Sequence, residues 1–367
     1  MTQLPLTRPP QHLCLLRLSA LGDISHMLPV LRTLQKHWPE TRITWVIGKL
    51  EHQLVCDIPE IEFIIFDKNE GLAAYKKLRK QMRARHFDAL LHMQMSLRAS
   101  LASLLIPTRI RLGFDRQRAK DLQWMFTNHK IEHRPRQHVI DSFFGFTEAL
   151  GIKEHVLEWN IPIPNDARQY ATMTLDSDRK ALIISPCSSM SYRNWSSEGY
   201  AAVADYASET YNMQVILCGG PSPIELEYGE RVTALCRHRP LNLIGQTSVK
   251  QLVALLAQAE LVLAPDSGPA HLATAVGTSV IGLYAATNPD RARPYLSADL
   301  VVNKYPEAIR NQYGKSVADM PWGTRARAAS AMASIRREDV IAKLDQHLST
   351  RPNEQPQENS KNEQSFH

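Results

Sequence analysis

The residues of this chain whose types and spacing could do chemistry fall in three short loops, each following an apolar run. The first is LRLSALGDISHMLP, in which Gly22 permits a sharp turn and Asp23 stands at the mouth of the next helical stretch. Asp23 reads either as a helix cap or as a general base. Pro29 would fall in the second turn of a helix that began at Asp23, so the pattern predicts irregular backbone there and a carboxylate free to face a cleft. The second loop is CSSMSYRNWSSEGY. Ser188 and Ser189 offer hydroxyls and Arg193 a planar cation just before a helix N-terminus, a combination suited to a diphosphate or to a plain polar surface. The third is APDSGPAHLATAVG, where a buried strand is expected to end at Asp266. Ser267 and Gly268 let the backbone approach a ligand, and Pro269 opens a helix that carries His271. Amides at that helix start point at an anion outside it.

Several chemistries are excluded by what these loops lack. No GxxxxGK[ST] loop is present, and Gly219-Gly220 stands outside any GxGxxG pattern. Asp176-Ser177-Asp178 precedes a strand instead of following one, and no cluster of His, Cys, Asp and Glu has metal-ligand spacing, so no metal site is expected. The Asn194-Trp195-Ser196 sequon is irrelevant to a cytoplasmic chain.

The elements that must position these loops are short apolar runs alternating with helical stretches, the pattern of an α/β protein built from repeated βα units on parallel sheets. Residues 13–18, 43–48, 62–67 and 89–94 read as strands in the first half, and 181–186, 213–220, 241–245, 260–268 and 278–284 in the second. Helices are expected near 197–209, 224–237, 248–258 and 269–276, with Ser248 and Gln251 forming a capping box. The proline-containing stretch 159–167 reads as a linker, which divides the chain into 1–165 and 166–335 with a cleft between them. In such sheets ligands sit beyond the carboxyl ends of the strands, where all three loops lie.

Length and composition agree: 367 residues suit two domains, and 44% hydrophobic with 22% charged residues suits a globular protein. No apolar run approaches the roughly 20 residues of a spanning helix, the first residues have no apolar signal core, and five cysteines lack CxxC spacing. A reducing, cytoplasmic compartment is expected. The net charge of +6 is uneven: residues 1–165 carry 23 lysines and arginines against 16 acidic residues, the remainder 20 against 21. Basic clusters at 76–85, at Arg109, Arg111, Arg116, Arg118 and Lys120, and at 130–136 are either solvated helix faces or a surface for an anionic partner. The last residues, 349–367, are nearly free of apolar side chains and are expected to be disordered.

LRLSALGDISHMLPVL, SPCSSMSYRNW and PDSGPAHLATAVG together resemble glycosyltransferase family 9, the heptosyltransferases, over residues 12–345. RIRLGFDRQRAKDLQWMFTN and YGKSVADMPWGTRAR are similar to the heptosyltransferase I subgroup. The resemblance implies a GT-B fold, two facing Rossmann-like domains with acceptor in the first and ADP-heptose in the second. It implies a helix near 336–348 crossing back to the first domain. It implies that Asp23 is the catalytic base, that Ser188, Ser189 and Arg193 grip the diphosphate, that Glu225 holds the ribose and Thr247 the adenine, and that Asp266, Ser267, Gly268 and His271 form the donor loop. Arg193 stands where some relatives have lysine, which keeps the cation and makes its geometry bidentate. The activity so implied is metal-independent, inverting transfer of heptose from ADP-heptose to Kdo-lipid A at the inner face of an anionic inner membrane, with the basic cluster 109–120 on the acceptor. Transfer to a later core sugar, a sugar-nucleotide epimerase, and a nucleic-acid-binding protein that uses the basic half are the competing readings. The last leaves the third loop unexplained.

Overall fold

A computed structural model describes residues 3–349; all of the expected tail except Ser349 lies outside them. Two six-stranded sheets are present, and every pairing between their strands is parallel. The first holds β1 (His12–Leu16), β2 (Arg42–Gly48), β3 (Ile61–Phe66), β4 (Phe87–His92), β5 (Thr108–Gly113) and β6 (His129–Lys130) in the order β3-β2-β1-β4-β5-β6. The second holds β7 (Ala181–Ile184), β8 (Gln214–Leu217), β9 (Leu241–Asn242), β10 (Leu261–Pro265), β11 (Ser279–Tyr284) and β12 (Val301–Asn303) in the order β12-β11-β10-β7-β8-β9. Read from β9 the second sheet repeats the order of the first, the doubly wound arrangement whose strand order reverses beside the founding strand. Burial on both faces explains why the central strands are unbroken apolar runs: β7 is ALII and β10 is LVLAP, all buried.

Helix Leu21–His37 joins the halves. It packs on helix Val139–Leu150 of the first half and on helix Gly268–Ala275 of the second. Its length corrects the expectation of irregular backbone before Pro29, which lies inside a continuous helix. Proline costs an interior helix about 3 kcal/mol, but Ile24, Met27, Leu28, Leu31 and Leu34 are fully buried, and that packing outweighs the loss. Segment 151–164 connects the halves while held in place: Trp159 is buried, and Arg32 donates to the carbonyls of Trp159 and Asn160. Helix Asn165–Thr174 then packs on Val249–Gln258, whose capping box at Ser248 and Gln251 is formed.

The C-terminal helix Arg337–Ser349 was expected to cross to the first half, and it does not. It lies on Ser197–Tyr211 and β12, with Val340 and Leu344 in the second core and Asp345 accepting from the hydroxyls of Tyr206 and Tyr211. The segment before it reaches across instead: Trp322 Nε1 donates to the Gln137 carbonyl and Arg136 to that of Ala318. Among the described residues no helix is long and apolar enough to cross a membrane.

Candidate active site

The carboxyl ends of β9, β8, β7 and β10, four neighbours in one sheet, carry in that order Thr247, Glu225, Ser188 with Ser189 and Arg193, and Asp266 with His271. The loops therefore line one rim. Across it lies the start of helix Leu21–His37, and the approach is close. A Cβ on Gly22 would stand 2.8 Å from Cδ2 of His271 and 3.4 Å from Cα of Gly268. Gly22 thus serves this contact from inside the helix, not a sharp turn before it. The N-termini of two helices, Leu21–His37 and Gly268–Ala275, meet here and add their positive ends to one place.

Asp23 follows Gly22 in the first turn, with its side chain 39% exposed. Its carboxylate pairs with Arg17 and reaches the Ala20 amide at 3.5 Å, the limit of a hydrogen bond. Arg17 is itself fixed on the carbonyls of Ser19 and Met93. The carboxylate is therefore oriented from below and open above.

On the second half, Arg193 Nη1 lies 3.1 Å from both the carboxylate and the carbonyl of Asp266, and His271 Nε2 lies 3.4 Å from the same carboxylate. Burial pushes the Asp266 carboxyl up, but the His271 hydrogen bond and the Arg193 charge outweigh it and hold the pKa at about 2. Ser267, not Asp266, is the N-cap of the helix, and its hydroxyl makes no capping bond. Ser267 Oγ, His271 Nδ1, Arg193 Nε and Asn288 Nδ2 are buried and find no hydrogen-bond partner among the described residues. Such atoms are scarce in folded proteins, and four of them beyond the ends of β7, β10 and β11 suit a polar ligand. The Ser188 amide donates to Asn194 Oδ1 and its hydroxyl to the Met190 carbonyl, while Ser189 is exposed. Glu225 accepts from the Gly220 amide and the Ser222 hydroxyl, and Thr247 is half-buried.

Sequence reasoning missed Arg291, which follows β11 in NPDRARP and faces Asp266, Asp23, Arg325 and Arg193. Its guanidinium makes no side-chain hydrogen bond or ion pair among the described residues, and burial lowers its pKa. It lies in the short helix Pro289–Ala292 that follows β11, outside the three loops that the sequence singled out. His26 and His138 were also missed. Both are buried, with the His26 ring 4.3 Å from that of His271 and 6.0 Å from that of His138, and the His138 ring is held between the Arg293 carbonyl and the Ile140 amide.

The five basic acceptor candidates separate. Arg118 is engaged by Asp115, Gln137, Ser142 and the Glu132 carbonyl, and Arg111 by the carbonyls of Ser103 and Ile106, so these two brace the first half. Arg109 is exposed at the start of β5, the end away from the loops. Arg116 stacks over Trp124, and Lys120 faces Arg291 and Arg325 across the rim. Among the described residues no group of three or more His, Cys, Asp or Glu could hold a metal ion.

Two facing Rossmann-like sheets with a polar rim between them define a GT-B glycosyltransferase fold. Residues 75–318 match the model of glycosyltransferase family 9 (heptosyltransferase), and the chain belongs to that family. It is 43% identical to the lipopolysaccharide core heptosyltransferase OpsX of Haemophilus influenzae over 338 residues, 92% of this chain and 97% of that one. Similar solved structures are a glycosyl transferase family 9 protein of Veillonella parvula (TM-score 0.75, 22% identity, 93% and 98% of the two chains) and the ADP-heptose LPS heptosyltransferase II of E. coli (TM-score 0.70, 20% identity, 92% and 99%).

Proposed function

We propose that this protein moves heptose from ADP-L-glycero-β-D-manno-heptose to the Kdo of Kdo-lipid A at the inner face of the inner membrane, inverting the anomeric centre without a metal. The observation that carries this reading is the contact of Gly22 with Gly268 and His271, which sets Asp23 opposite the Asp266 loop. A relative 43% identical is named for the lipopolysaccharide core, and a structure of the same fold for ADP-heptose.

Thr247 and Glu225 receive the nucleoside; Ser188, Ser189 and Arg193 receive the diphosphate. Asp23, held by Arg17, takes the proton of the acceptor hydroxyl as its oxygen attacks the anomeric carbon from the first half. The bond to the diphosphate breaks on the opposite side. The charge that grows on the leaving oxygen is met by Arg193, Arg291 and the N-terminus of Gly268–Ala275, groups already oriented before reaction. Lys120, with Arg116 beside it, meets anionic groups of the acceptor.

Asp23→Asn should bind ADP with wild-type affinity by calorimetry and lose about 100-fold or more in turnover. Near-normal turnover would reduce Asp23 to a partner for Arg17 and Ala20. Mass analysis of the product identifies the acceptor: Kdo-lipid A should gain one heptose, and a protein that accepts only an already heptosylated core acts on a later sugar.

A further inference from the structure

The face of the first sheet turned away from the second half is covered by two helices, Leu72–Met82 and Leu97–Ser103. Their inner residues Ala74, Leu78, Met82, Ala99 and Ala102 pack beneath them in a core separate from the one that joins the halves. The helices meet where the Tyr75 hydroxyl donates to the Arg98 carbonyl at 3.2 Å. The outer stripe of a surface helix is ordinarily polar. On Leu97–Ser103 and its C-cap it is leucine: Leu97, Leu101 and Leu104 stand one above another at helical spacing and are 51%, 43% and 55% exposed. Leu122 and Met125 are also exposed, on either side of Gln123, which is anchored on the carbonyls of His92 and Gln94 before this helix.

The neighbouring helix has the opposite character. Leu72–Met82 carries four basic residues and no acidic one. Lys77 is paired with Glu70, but Lys76, Arg79 and Lys80 have no ion-pair partner among the described residues. A leucine stripe beside a row of unpaired cations has the composition of a membrane-surface element. We propose that this face docks on an anionic phospholipid bilayer, the leucines entering the boundary between headgroups and acyl chains while Lys76, Arg79 and Lys80 lie among lipid phosphates. The stripe alone would suit a protein partner or a second copy equally well; the unpaired cations beside it select a surface dense in negative charge. The docking does not depend on which sugar is transferred. Both helices follow the carboxyl ends of their strands, the end of the sheet that carries the rim.

The test is flotation of the full chain with vesicles that contain no glycolipid, so that failure here says nothing about sugar transfer. Wild type should bind phosphatidylglycerol vesicles in low salt, bind phosphatidylcholine vesicles at least tenfold more weakly, and dissociate from the former as salt rises. Leu97→Ser/Leu101→Ser/Leu104→Ser and, separately, Lys76→Glu/Lys80→Glu should each lower binding to phosphatidylglycerol at least tenfold, with ADP affinity unchanged as the control for folding. Wild-type vesicle binding by either variant, equal binding to both lipids, or a dimer that the leucine substitutions dissociate would overturn the proposal.

Discussion

Two arginine–aspartate pairs, one in each half, sit in loops beyond strands and differ in what surrounds them. Arg118 of the first half donates from every side: Nε to Asp115, Nη1 to Gln137 and Ser142, Nη2 to the Glu132 carbonyl. Asp115 is equally saturated, by Arg118, His133 and the amides of Gln117 and Arg118. Arg193 of the second half contacts Asp266 through Nη1, and its buried Nε has no hydrogen-bond partner among the described residues. Both were candidates by residue type. The difference teaches that a closed set of bonds marks a brace and an open one marks a hand extended to a ligand, because a buried donor left unpaired costs about 1–3 kcal/mol.

Breaking each pair should separate the roles. Arg193→Ala and Asp266→Ala should each weaken ADP-heptose binding by roughly 1–3 kcal/mol, the scale of a charge-assisted hydrogen bond in a shielded site. Arg118→Ala should lower stability by a comparable amount and leave calorimetric ADP affinity unchanged. If Arg118→Ala loses ADP binding and Arg193→Ala keeps it, the assignment of brace and ligand site is reversed.

A smaller change tests the distance between the halves. Gly22→Ala puts a methyl 2.8 Å from His271 Cδ2, so the buried ring or one of the two helices must move. Turnover should fall roughly tenfold, about 1.4 kcal/mol of transition-state stabilisation, with ADP binding less affected because the loops of Ser188, Glu225 and Thr247, proposed to hold it, are not the ones that the methyl meets. Unchanged turnover would mean that the close approach is not needed for transfer.

How much of this was legible in the sequence follows from where each signal resides. β7 and β10 could be read because strands buried on both faces are continuous apolar runs. The loop 266–271 could be read because serine, glycine, proline and histidine in that order specify a backbone and not merely a surface. β5, TRIRLG, was missed because Arg109 and Arg111 break its apolar run; Arg111 is tolerated there only because two carbonyls receive its guanidinium. Pro29 misled because local propensity said nothing about two partners burying the same helix. Arg291 was invisible for a related reason, since only the tertiary fold brings it within electrostatic reach of Asp266 and Asp23.

The buried histidines sharpen the comparison through pH. Burial lowers the pKa of His138 and of His92 to about 3 and takes His26 well below its usual value. All three are neutral in the folded chain until strongly acidic pH, whereas unfolded they titrate near 6.5. Their contribution is therefore complete above about pH 6.5 and is lost as pH falls from there toward 3, each histidine adding at most about 1.4 kcal/mol per pH unit. Melting temperature should fall between pH 7 and 5, and His92→Gln should flatten the fall by about one proton's worth. A pH-independent melting temperature over that range would show that these rings are not buried neutral.

The smallest expected effect is at Lys120, and it tests whether the first half presents a hand of its own. Of the five basic residues from 109 to 120, Arg118 and Arg111 are occupied, Arg116 stacks over Trp124, and Arg109 lies at the far end of its strand. Lys120 remains at the rim. Partial burial and the charges of Arg291 and Arg325 lower its pKa, so it adds positive charge where the protein already concentrates it. Unpaired like charges held together repel unless an anion comes between them, and an acceptor bearing carboxylates or phosphates supplies one. An exposed pairing of this kind is worth less than about 1 kcal/mol, so Lys120→Glu should raise the acceptor KM a few-fold, with kcat little changed. The effect should shrink in 0.5 M salt, where exposed charges are screened within about 4–5 Å. ADP affinity is the discriminating control. If Lys120→Glu weakens ADP as much as it weakens the acceptor, the lysine belongs to the donor diphosphate, and the first half contributes only Asp23 to the charged machinery of the rim.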